Sequence, residues 1–381
     1  MPKVPDRFND LPGGFKPFLA KPPDDVVRWT VGEPGFDTPQ PVVDAAIEAL
    51  EQGQTKYTRS EGTLELCEAS AARLSHNYGI PATADTVVIT PGAKQALLYA
   101  MMVAAQPGDE VLLLAPAWPS YDIQCRLLGL TPVHVPTIAP HFHPNFDALE
   151  EAVNERTKVI VINSPNNPTG AVYTPDEIKQ LLDFAIRHDL WIVSDEIYAR
   201  LNWTDWEHIS PACLPGGAER TIVITGWSKS FAMTGWRLGV IWGPRDVMDV
   251  VGKIQANACS HVPTFLMEAA MRALQDDIEE HVSEFKLAYL KRRESIVDGI
   301  GSLPGLKMSE PEGAFYGFID VTETGMDSRT FATRALDEAG VQVIPGGLLP
   351  EGEGYVRVSY ACDEDAIDEG LRRLGNWLAS I

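Results

Sequence analysis

The sequence predicts an α/β protein: a large domain on a mostly parallel seven-stranded sheet, with a smaller α+β domain beside it. Three observations predict it. Short apolar runs at 87–90, 110–114, 132–135, 159–163, 191–194, 222–225 and 238–242 alternate with helical stretches. Strands alternating with helices build βαβ units, whose strands run parallel. The chain has 381 residues, more than one ordinary core accommodates, and its hydrophobic share of 45% is that of a folded globular chain.

Residues 1–40 are rich in Pro and Gly and read as an extended arm with one short apolar strand at 26–31. A helix follows at about 40–53, where Val43, Ala46, Ile47 and Leu50 recur at helical spacing. Between the strands of the sheet, helices are expected at 93–105, 119–128, 146–153 and 175–187. A long charged helix at 277–299 then links the sheet to a C-terminal part, with strands near 316–319, 341–344 and 356–359 and helices near 328–338 and 364–379. The boundary falls in that long helix. Residues 41–285 form the large domain, and 1–40 with 286–381 the small one.

The formal net charge is −22, from 53 acidic and 31 basic side chains. Phosphate backbones and anionic membrane surfaces attract basic proteins, so neither is an expected partner. The five cysteines are scattered with no C-x-x-C pair, which argues for a reducing compartment and against disulfides or a zinc site. His141 and His143 flank Phe142 without metal-ligand spacing and read as a surface loop. No metal is expected. With neither a signal-peptide core nor a membrane-length apolar run, the expected location is cytoplasmic.

Candidate chemistry gathers just after the strand ends, where such sheets bind ligands. Thr225-Gly226-Trp227-Ser228-Lys229-Ser230 follows one apolar run. A lysine among small and hydroxyl residues there suits a cofactor, although a lone lysine is more often a solvated charge. Ser228 and Arg237 could together clasp a phosphate. Thr90-Pro91-Gly92-Ala93-Lys94-Gln95 joins a strand to a helix, where free N–H groups point at an anion. Asp195, in Ser194-Asp195-Glu196-Ile197-Tyr198, taken alone reads as a helix N-cap after a strand. Asn167, before Pro168, reads as a turn residue, and Trp118 as core packing. Arg357, in Tyr355-Val356-Arg357-Val358-Ser359, is an odd surface charge.

Several of these segments resemble the class I/II aminotransferases, which are fold type I enzymes dependent on pyridoxal 5'-phosphate. Ser228-Lys229-Ser230-Phe231-Ala232-Met233-Thr234-Gly235-Trp236-Arg237 is similar to their lysine signature, and Asn163-Ser164-Pro165-Asn166-Asn167-Pro168-Thr169-Gly170 to their Asn-Pro-Thr-Gly loop. The order Asn167, Asp195, Lys229, Arg357 also matches, and the resemblance runs from about Val31 to Ala361.

The resemblance assigns roles. Lys229 forms an imine with the cofactor aldehyde and later moves the substrate proton. Asp195 holds the pyridine nitrogen protonated, so that the ring withdraws electrons. Tyr198 and Asn167 hold the ring oxygen. Gly92, Ala93, Lys94, Ser228 and Arg237 hold the phosphate, and Trp118 stacks on the ring. Arg357 grips the substrate α-carboxylate in a bidentate way, and Gly32 lets backbone approach the substrate. Tyr57 matches a tyrosine that reaches the phosphate of a neighbouring subunit, which implies a homodimer with shared sites; the other reading of Tyr57 is a buried interface residue.

Lys94 occupies a position that, in prokaryotic aspartate aminotransferases, helps read a distal carboxylate. Its bland reading is a solvent-facing residue at a helix start, where a cation opposes the helix dipole. The expected reaction is ping-pong transfer from an amino acid, by preference aspartate, to 2-oxoglutarate. Two segments depart from the pattern: the arm at 11–15 and the loop at 345–350, both expected to border the substrate side chain. An aromatic or small apolar donor therefore stays open. So does a β-eliminating C–S lyase on the same scaffold. A non-catalytic binding module is opposed by the intact lysine, and a Rossmann nucleotide binder by the missing G-x-G-x-x-G.

Overall fold

The computed structural model describes Phe8, Leu11, Pro23 and residues 25–381. Most of the expected arm, including residues 12–15, lies outside the described residues. In chain order the elements are β1 (Val27–Arg28), α1 (Gln40–Glu51), α2 (Leu64–Tyr78), β2 (Val87–Thr90), α3 (Ala93–Ala104), β3 (Glu110–Ala115), α4 (Ser120–Leu128) and β4 (Thr131–Pro136). They continue as α5 (Phe146–Ala152), β5 (Thr157–Asn163), α6 (Pro175–Arg187), β6 (Trp191–Asp195), β7 (Thr221–Gly226), β8 (Gly239–Trp242), α7 (Arg245–Ala258) and α8 (Thr264–Ala273). The last are α9 (Glu279–Gly301), β9 (Lys307–Met308), β10 (Tyr316–Asp320), α10 (Ser328–Ala339), β11 (Val341–Gln342), β12 (Ile344–Pro345), β13 (Tyr355–Ser359) and α11 (Glu364–Leu378).

The seven expected runs become one sheet, ordered β2-β8-β7-β6-β5-β3-β4. Only β8 runs against its neighbours. Along β3 and β5 the side chains alternate in the manner of a pleated strand. Val111, Leu113, Val159 and Val161 pack under α3 and α4. Leu112, Leu114, Ile160 and Ile162 pack on the opposite face against Ile178, Leu181 and Phe184 of α6. This two-sided burial is why the strands read as continuous apolar runs. Thr174 caps α6, accepting from the Glu177 amide while Glu177 accepts from Thr174.

Beside this layer lies a four-stranded antiparallel sheet, ordered β12-β13-β10-β9. Its core gathers Trp29, Tyr289, Phe315, Tyr316, Phe331 and Trp377. The expected strand at 341–344 is two short pieces: β11 pairs with β1, and β12 pairs with β13. The expected strand at 26–31 shrinks to β1, but its line continues through single contacts. Trp29 N donates to Gln342 O at 3.0 Å, and Ser359 N donates to Trp29 O at 2.7 Å. The chain's beginning is thereby stitched to its end.

Helices α2, α7 and α8 have no counterpart among the expected elements. The histidine loop also differs from expectation. His141 is exposed, but the His143 ring is inserted between Glu177 (Nδ1 to Oε2, 2.8 Å) and Glu312 (Nε2 to Oε2, 3.0 Å). Phe142 between them is buried against Phe318 and Tyr355. Among the described residues no helix is long and apolar enough to cross a membrane, and no cluster of His, Cys, Asp or Glu is placed to hold a metal ion.

Candidate active site

The parallel strands deliver their carboxyl ends to one place. Asn163 ends β5 and Asp195 ends β6, paired in register as neighbours. Lys229 follows β7, Trp118 follows β3, and the 91–92 turn joins β2 to α3. Asn163, Asp195, Lys229 and Trp118, with Ala93 and Lys94 just past that turn, border a cavity of about 460 Å3, closed from the other side by Thr30–Glu33, Tyr316 and Arg357.

Lys229 is partly buried, and its Nζ donates to Gly32 O at 2.6 Å. Loss of solvent pulls its ammonium down to about 8; Glu33 and Asp195 oppose the shift, and Arg357 and Arg237 add to it. A neutral amine is thus accessible near physiological pH. Burial pushes the Asp195 carboxyl up to about 6, against the Tyr121 hydroxyl, which donates to Oδ2 at 2.7 Å. The Ile197 amide donates to Oδ1 at 3.3 Å. No helix follows Asp195, only a turn at 197–200, so the N-cap reading is corrected: this carboxylate stabilises a turn and faces the cavity.

Arg357 is held on two edges. One Nη donates to Asn167 Oδ1 at 3.0 Å and the other to Thr30 O at 2.6 Å. Its guanidinium lies over the Tyr316 ring, 4.7 Å from the centroid. The Tyr198 and Tyr316 hydroxyls are 2.8 Å apart. Lys94 Nζ sits 4.8 Å from the Trp118 ring centroid. Burial, with Arg237 nearby, lowers its pKa.

Every sequence-derived site residue lines the cavity except two. Gly92 stands behind the wall. It adopts φ 84° and ψ 161°, and a Cβ there would lie 2.5 Å from Arg237 Nη2. Its part is to give Arg237 room. Tyr57 is 90% exposed, and its ring meets the His261 ring edge-to-face at 5.7 Å. It neither touches this chain's cavity nor is buried within the chain. The loop at 345–350 is corrected as well: none of its residues lines the cavity, and Leu349 packs into the core beside Phe142 and Phe318. Gly226 is explained by packing, since a Cβ would lie 2.7 Å from Leu238 O.

Sequence reasoning missed Tyr121, Asn163, Thr30, Glu33, Thr234 and Tyr316. Tyr121 was within reach, three residues past Trp118 at the start of α4. Tyr316 was not, because only the β10–β13 pairing brings it beside Arg357.

The model of the family described as aminotransferase class I and II matches residues 24–374. The chain belongs to the class I and II aminotransferases. Like its relatives, this aminotransferase transfers amino groups between amino acids and 2-oxo acids, and its architecture is fold type I. It is 40% identical over 372 residues to an aspartate aminotransferase of Pyrococcus abyssi, covering 97% of this chain and 93% of the relative. It is 38% identical to aromatic-amino-acid aminotransferase 2 of Thermococcus litoralis, covering 93% and 92%. Among solved structures, aspartate aminotransferase from Thermus thermophilus with maleate superposes with a TM-score of 0.94 at 37% identity, over 99% of this chain and 100% of that one.

Proposed function

We propose that this aminotransferase uses pyridoxal 5'-phosphate held on Lys229, takes aspartate as its amino donor and 2-oxoglutarate as its acceptor, and works as a homodimer to which Tyr57 contributes across the interface. The observation that carries the reading is a partly buried lysine, a buried carboxylate and a buried arginine facing one cavity. Buried charges of this kind are costly unless a ligand uses them.

The residues present fit the cofactor. The cavity has the size of a small-molecule site. Gly92 leaves space for Arg237 behind the helix N-terminus of α3, whose leading amides suit an anion. When bound, the cofactor supplies an electron sink for the bond that breaks at the substrate Cα.

The protein's own groups do the rest. Asp195, ionised above about 6, holds the proton on the ring nitrogen. Tyr198 and the Asn167 amide donate to the ring oxygen. Ser228 and Arg237 hold the phosphate. Arg357, already squared by Asn167 and Thr30, presents its guanidinium to the α-carboxylate. The Lys229 amine carries the proton away from Cα, a task suited to a base near 8. Lys94 meets the distal carboxylate of the donor. The large and small domains divide at 41–285 against 1–40 with 286–381, so that the site lies between them.

A half-reaction screen tests this. Cofactor-loaded protein is mixed with single L-amino acids without acceptor, and the cofactor's visible absorbance is followed beside assays for ammonia and pyruvate. Rapid bleaching by aspartate and glutamate is expected, with no ammonia. Bleaching by aromatic donors alone would reject aspartate, and ammonia release would reveal a lyase. Lys229→Ala should stay folded and show neither the absorbance nor the reaction.

A further inference from the structure

We infer that Tyr316 is a positioning residue of this site: its hydroxyl orients the Tyr198 hydroxyl, while its ring face sets the plane of the Arg357 guanidinium. The inference rests on the function proposed above and deepens it. Tyr316 opens β10, and Arg357 lies on β13 one diagonal step away, since Tyr316 faces Ser359 and Phe318 faces Arg357 in the antiparallel register. Diagonal neighbours on one face are within reach of long side chains. The guanidinium sits 4.7 Å above the phenol ring. Asn167 and Thr30 hold two edges of the guanidinium, and an aromatic face supplies the remaining restraint, on tilt.

The hydroxyl does separate work. Between two hydroxyls 2.8 Å apart lies one proton. If Tyr316 supplies it, the Tyr198 proton is free to point into the cavity, where the cofactor's ring oxygen is expected. Gly32 shows that this hydroxyl is closely housed, because a Cβ there would overlap it. Thus Gly32 makes room for Tyr316 as well as bringing a carbonyl to Lys229. Tyr316 is also wedged by Phe315, with ring centroids 5.0 Å apart, so it has little freedom to turn away.

Tyr316→Phe and Tyr316→Leu separate the two effects. Each is loaded with cofactor and compared with wild type in three measurements: the pH midpoint of the cofactor's visible absorbance, the dissociation constant for maleate as an unreactive dicarboxylate, and the unfolding temperature. Tyr316→Phe should move the absorbance midpoint to higher pH by roughly half a unit or more, because a weaker donor leaves the cofactor more basic. It should keep maleate affinity within about threefold, because the ring face remains. Tyr316→Leu should show the same midpoint shift and weaken maleate by about tenfold. Lower unfolding temperatures with midpoint and maleate affinity unmoved would mean a merely structural tyrosine and overturn the inference. A wild-type protein that shows no cofactor absorbance would overturn the proposed function itself, and the inference with it.

Discussion

Lys94 sits in the first turn of α3, an exposed residue whose ammonium lies over the Trp118 ring, and desolvation there, with Arg237 nearby, disfavours its charged form. A cation placed against a helix dipole and partly stripped of water is stabilised by an anion arriving beside it. Lys94→Ala should therefore raise the half-saturating aspartate concentration roughly ten- to a hundredfold, the worth of a charge-assisted hydrogen bond. Phenylalanine should change far less. Equal losses for both donors would show that Lys94 reads no distal carboxylate. The residues legible in the sequence share a property with Lys94: each lies within a few positions of a strand end, in a segment with its own pattern. Tyr316 and Thr30 were illegible because their place depends on pairings between β1, β11, β10 and β13, which no local window contains.

Among the elements, the strands of the seven-stranded sheet were legible because burial on both faces makes most of them uniformly apolar. Helix α2 was not. Its inward face sets only two leucines, Leu66 and Leu74, among the small residues Cys67, Ser70 and Ala71, which weakens the periodic contrast. The direction of β8 was also hidden, since a short apolar run reads alike both ways; its reversal brings Gly239 so close to the 91–92 turn that a Cβ would lie 2.5 Å from Gly92 C. That turn supports a prediction. The φ of 84° and ψ of 161° at Gly92 belong to a region open to glycine almost alone. Gly92→Ala should cost about 1–3 kcal/mol locally and displace Arg237. Cofactor should then dissociate at least about tenfold more readily in equilibrium dialysis. Unchanged retention would show that Arg237 does not need this space.

The whole molecule is tied across its layers by His143, which bridges Glu177 at the start of α6 and Glu312 in the approach to β10. The hydrogen bonds that the ring donates to Glu177 and Glu312 raise the imidazole to about 9 from its ordinary 6.5. Because the folded value is the higher one, the tie stabilises fully below 6.5 and is lost as pH rises through about 9. Urea midpoints of wild type and His143→Gln should differ clearly at pH 6 and converge near pH 10. A constant difference would mean that the ring only fills space.

The stitching of the chain's two ends has a consequence for biosynthesis. Val27 pairs with Val341, Trp29 with Gln342 and Ser359, and Thr30 with Arg357. As the polypeptide leaves the ribosome, the strands that lead into Asn167, Asp195 and Lys229 emerge with their neighbours and can assemble early. The segment that roofs the cavity, though made earlier, must wait for strands more than three hundred residues downstream. Contacts so distant in sequence form late and slowly. The unfinished protein would thus expose its lysine pocket before it possesses the arginine that selects what enters.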